Sequence, residues 1–121
     1  MTFSIHSKQA GGPANMYKID DVGVVCIAEF HAIEGRTEEL IAALHSLIKP
    51  THAEEGCLRY ELNQRTDDPG WVTFVEKWKN KETFDAHCGM PYITHYFEDV
   101  RPQLVDDFKV TLYHEILPEV R

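Results

Sequence analysis

The chain has 121 residues, 43% of them hydrophobic, and a formal net charge of −8. Length and composition predict one globular domain rather than a disordered or membrane-embedded chain. The 12 basic residues are scattered singly, which argues against a nucleic-acid backbone or an anionic membrane as partner.

Residues 1–20 lack periodicity and contain Gly11, Gly12 and Pro13, so they read as a flexible N-terminal arm ahead of a single domain over 21–121. The opening "MTFSIHSKQAGGPANM" has no apolar core of a secretory signal, and no apolar run approaches the roughly 18 residues of a spanning helix. A cytoplasmic location is expected. "VGVVCIAEF" (22–30) is a β-rich strand. "EGRTEELIAALHSLIKP" (34–50) carries Leu40, Leu44, Leu47 and Ile48 at helical spacing, with Gly35 at the turn and Pro50 as the stop. "GCLRYELNQR" (56–65) alternates, with Leu58, Tyr60 and Leu62 on one face. "TDDPG" supplies a turn and "WVTFVEKW" (71–78) the return strand of a hairpin.

Asn80 suits the cap of a helix that presents Phe84, His87 and Cys88 together. Gly89 and Pro91 break that helix. A further helix runs from about Tyr92 to Arg101, with Ile93, Phe97 and Val100 on one stripe and Pro102 ending or kinking it. "FKVTLYHEI" (108–116) is the last strand. The order βαββαβ predicts an α+β, ferredoxin-like antiparallel sheet with its helices on one face.

Such a sheet leaves its second face wet unless something covers it. Here Val25 and Ile27 of the first strand, and Trp71 and Val75 of the third, are apolar on the face away from the helices. A second copy packed sheet against sheet is the economical cover, so a homodimer is expected.

Cys26, Cys57 and Cys88 form an odd set without a C-x-x-C pair. They read as buried small side chains in a reducing compartment, not as a disulfide framework or zinc ribbon. Glu76 shares a strand face with Phe74 and Trp78. If buried there its neutral form is favoured, which makes it an acid, a base or the orienter of a histidine. The plainer alternative is a surface Glu paired with Lys77 or Lys79. His87 sits on the helix's inward stripe, where a satisfied core histidine is the default and a proton carrier the sharper reading. Trp78 fits a core as readily as a pocket wall. His95 and Tyr92 follow Pro91; with His87 and Glu76 they imitate a metal site, but no single helix sets the spacing of the two histidines, and no metal is expected. His6, His31, His45, His52 and His114 read as structural or exposed. Dinucleotide, P-loop, nucleophile-elbow and zincin motifs are all absent from the sequence.

"EEGCLRYEL" followed by "FVEKWKNKETFDAH" and Pro91 resembles the antibiotic-biosynthesis monooxygenase (ABM) family, over about three quarters of the chain from Val24 to Ile116. The resemblance implies a dimeric α+β barrel in which Glu76, Trp78 and His87 line a pocket between sheet and helices. It also implies cofactor-independent oxidation of a small aromatic or quinol-like compound by O₂. His87 would be the base and Glu76 its orienter. Trp78, Phe74 and Phe30 would wall out water, and Tyr60 or Tyr92 would hydrogen-bond the ring oxygen. Where family members carry a second His after the proline, this chain has Tyr92, with His95 three residues on. Haem-degrading relatives need an Asn on the first strand; "VVCIAEF" has none, so haem is disfavoured. The expected partners are a small molecule and O₂. Two alternatives stay open, a proton-transfer isomerase of a small hydroxyketone and a non-catalytic ligand-binding barrel. A cavity beside His87 separates the enzymatic readings from the last.

Overall fold

Alternating burial organises the sheet. In β1 (Val24–Ala32), Val24, Cys26, Ala28, Phe30 and Ala32 are buried and the residues between them half-buried. In β3 (Trp71–Trp78), Val72, Phe74, Glu76 and Trp78 are buried on the same face. The computed structural model describes residues 22–117, so the expected arm over 1–20 lies outside the described residues. The elements that follow β1 are α1 (Thr37–His45), α2 (Ile48–His52), β2 (Cys57–Gln64), β3, α3 (Lys81–Cys88) and α4 (Pro91–His95). A π-helical turn (Tyr96–Val100), α5 (Arg101–Leu104) and β4 (Val105–His114) complete the chain. The four strands form one antiparallel sheet in the order β2-β3-β1-β4. This is the expected ferredoxin-like α+β arrangement, with each helical region subdivided.

The helices cover one face. Leu40 and Leu44 of α1, Leu47, Phe84 of α3, and Ile93 of α4 close over the sheet. Each such side chain contributes roughly 2 kcal/mol by leaving water. Among the described residues no helix is long and apolar enough to cross a membrane. All three cysteines are free thiols.

Local details differ from the sequence expectation. The first helical stretch divides after His45 and does not stop at Pro50, which sits in the first turn of α2. There a backbone N–H has no helical partner in any case, so a proline is tolerated. The register of β2 shifts between Cys57 and Arg59. As a result Cys57 packs against the core while Leu58, expected to share a face with the buried Tyr60, is 62% exposed. The second helical region widens into the π turn just before Pro102, which cannot donate to the carbonyl four residues earlier.

Candidate functional site

Three neighbouring strands place Tyr60, Glu76 and Cys26 side by side on the helix-covered face, Glu76 opposite both of the others. Each belongs to a different strand, so one row of side chains joins β2, β3 and β1. Above this row stands α3. Its capping box fixes where the helix begins: Thr83 N–H donates to the Asn80 side-chain oxygen at 2.9 Å, and Asn80 N–H donates to the Thr83 hydroxyl at 3.3 Å. Such a cap is worth about 1 kcal/mol. Two turns later the helix delivers His87 into the core at 4% exposure.

The polar atoms meet around His87. Trp78 Nε1–H donates to Glu76 Oε1 at 3.0 Å, and the Trp78 and His87 rings lie 4.5 Å apart. Glu76 Oε1 is 4.0 Å from His87 Nε2, beyond hydrogen-bond reach. The other ring nitrogen, Nδ1, is 2.9 Å from Glu54 Oε2. Tyr92 donates its hydroxyl to that same oxygen. Glu54 lies in the turn between α2 and β2 with a side chain 7% exposed. Glu76 was expected to orient His87. The hydrogen-bonded carboxylate is Glu54.

Burial pushes the Glu76 carboxyl up to about 7, while hydrogen bonds from Trp78 and Cys26 pull the other way. Burial lowers His87 below its ordinary value, opposed by the hydrogen bond and charge of Glu54. Burial likewise raises the Tyr60 and Tyr96 hydroxyls and the Cys26 thiol.

A cavity of about 30 Å³ opens beside His87 and Glu76. The sheet side supplies Ala28, Phe30, Tyr60 and Phe74, and the helices supply Leu44, Leu47, Ile93, Tyr96 and Phe97. The buried Tyr96 hydroxyl has no hydrogen-bond partner among the described residues. This space suits a diatomic molecule or a water; an apolar cavity that takes benzene is nearer ~150 Å³. An aromatic ring therefore needs the wall to move.

The sequence candidates divide accordingly. Glu76, His87, Tyr60, Phe74 and Phe30 line the cavity. Trp78 is fully buried, stands outside that lining and holds Glu76. Tyr92 binds Glu54 rather than facing the cavity, so the expected contact with a ring oxygen is not available to it as placed. His95 does not join the site: it is exposed and pairs at 2.9 Å with Asp99 of the π turn that follows α4. Glu54 is the residue the sequence reading missed. It stands in a turn, outside any periodic pattern, and its contact spans 33 residues.

The chain is similar to known proteins in sequence and in fold. SO0527 from Shewanella oneidensis has a similar solved structure, with 52% sequence identity and a TM-score of 0.77 over 78% of this chain and 92% of that one. "Putative monooxygenase Rv0793" from Mycobacterium tuberculosis is 33% identical over 74% of this chain and 87% of its own length. The solved structure of Rv0793 matches with a TM-score of 0.72 over 82% of this chain and 99% of that one, at 29% identity. The family model for antibiotic biosynthesis monooxygenase matches residues 23–99, from the first strand past the capped helix that carries His87 and into the π turn, and the chain belongs to that family.

Proposed function

We propose that this protein is a cofactor-independent monooxygenase that oxidises a small aromatic or quinol-like compound with O₂, His87 being the proton acceptor. The observation that supports it is a buried imidazole and a buried carboxyl sharing one small, mainly apolar cavity within the family's fold. An electron-rich phenol reduces O₂ more readily as its anion, so the protein's tasks are to take a proton and keep water out. His87 takes the O–H proton. One oxygen atom stays on the ring as a new carbonyl, and the other leaves as water with the two hydrogens the substrate loses. The substrate supplies every electron that O₂ takes up, so the reaction requires no organic cofactor. Phe97, half-buried on the π turn, and Tyr96 beside it are the wall that a shift of this turn would move to admit a ring. A second copy of the chain covers the outer sheet face, and three free thiols suit a cytoplasmic setting.

Oxygen consumption with a panel of hydroquinones tests the reading. Wild type is expected to consume O₂ with at least one of them, and His87→Ala to lose at least a hundredfold in kcat. Turnover of a small hydroxyketone without O₂ would instead favour the isomerase, because an imidazole set between two carboxylates also suits proton shuttling. No turnover of either class would leave a binding barrel.

A further inference from the structure

We propose that Glu54 is the positioning residue that arms His87: it keeps the ring hydrogen on Nδ1, leaves the Nε2 lone pair toward the cavity, and remains as the counter-charge once Nε2 has taken a proton. The inference rests on the reading of His87 as proton acceptor.

Glu54 Oε2 already accepts from the Tyr92 hydroxyl, so this oxygen is an acceptor and its 2.9 Å contact with His87 places the ring hydrogen on Nδ1. A neutral imidazole then carries its lone pair on Nε2, the nitrogen nearer Glu76. The groups facing His87 are Glu54 from the turn before β2, Tyr60 from β2, and Glu76 and Trp78 from β3. Cys26 of β1 reaches it through Glu76, and Tyr92 of α4 through Glu54. Among the described residues, only Glu54 hydrogen-bonds a ring nitrogen of His87. Glu76 is on the wrong side for this task, because a hydrogen bond from it would occupy the lone pair that must stay free. The Tyr92 hydroxyl anchors Glu54 by donating to the oxygen that serves His87.

In the step itself the substrate O–H bond breaks, an Nε2–H bond forms, and the electron pair stays on the substrate oxygen. The product is an imidazolium in a core whose burial disfavours it, beside a carboxylate placed to offset that cost. Nε2 later returns the proton to the oxygen that leaves as water. Glu54 is absent from the cavity lining and instead contributes, with Glu55, Glu82 and Met90, to the wall of a separate groove of about 260 Å³. It therefore acts on His87 without touching what occupies the cavity.

Glu54→Gln keeps an accepting oxygen and removes the charge. ¹⁵N NMR of the full chain should show Nδ1–H on His87 in wild type and in this variant, with His87 titrating at lower pH in the variant. Its kcat for O₂ uptake should fall at least about tenfold with KM unchanged. Glu54→Ala should lose the tautomer preference as well, and formate, entering by the groove, should restore part of its rate. Wild-type His87 protonated on Nε2, or a Glu54→Gln enzyme with wild-type kcat and wild-type His87 titration, would overturn the assignment. If wild type oxidises no hydroquinone, the monooxygenase reading fails, while the NMR comparison still decides the role of Glu54.

Discussion

Glu76 and His87 are shifted by the same cause in opposite directions of pH. Burial raises the Glu76 carboxyl to about 7 from an ordinary value near 4.5. The folded state therefore favours the protonated form. Stability is full below pH about 4.5, declines as pH rises and is fully reduced above about 7, a loss on the order of 3 kcal/mol. His87 is lowered, so its neutral form is favoured when folded, and stability falls as pH drops below its ordinary 6.5 toward the lowered value. We predict that Glu76→Gln, which keeps an oxygen for Trp78 Nε1–H, flattens the alkaline side of the stability profile. Urea unfolding at pH 5.5 and 8.5 checks this: wild type should be the less stable at 8.5 through this group, and the variant should lose that difference. An unchanged difference would show that Glu76 is not the source. Strand alternation made Glu76 and Trp78 legible in the sequence as face-sharing neighbours, and the helical stripe made His87 legible as inward. Glu54 was not legible, because a turn residue has no period and its partner arrives from a separate element.

At the scale of elements, the turn before β2 and the start of α3 are built as one piece. Gly56 adopts φ +81°, where L side chains are strained, and a Cβ there would lie 2.5 Å from Thr83 of the capping box. Gly56 also accepts a hydrogen bond from Lys79 N–H at 2.8 Å, and Cys57 N–H donates to Glu54 at 3.3 Å. The same few residues thus fix the start of β2, the cap of α3 and the position of Glu54. We predict that Gly56→Ala costs roughly 2–4 kcal/mol and weakens the hold on His87. A denaturation midpoint within about 0.5 kcal/mol of wild type would show that the turn yields freely. The hairpin, the Asn80 cap and the inward stripes follow from periodicity and turn chemistry. The shift at Leu58, the placing of Pro50 and the π turn do not, because each depends on which backbone N–H groups lack partners after packing.

For the molecule as a whole, the outer sheet face carries half-buried Val25, Ile27, Trp71 and Val75 among charged neighbours such as Glu29 and Lys77. Apolar side chains in mid-sheet, with no helix above them among the described residues, fit a two-fold partner. The homodimer we propose predicts a dimer mass at micromolar concentration, and a monomer for Ile27→Glu that stays folded by circular dichroism. A monomeric wild type in sedimentation equilibrium would sink the idea. The element order made the overall architecture readable in advance, since βαββαβ leaves few topologies. The volume beside His87 was not readable, because a space of about 30 Å³ is a small residual of many packed side chains. The chain's two tryptophans fall one on each of the surfaces at issue. Trp71 is half-buried on the outer sheet face, and Trp78 is sealed against His87. Fluorescence therefore offers two native optical reporters: Trp71 emission should respond to the assembly we propose, and Trp78 emission to protonation of the imidazole beside it. Single Trp→Phe variants separate the two signals without an added dye.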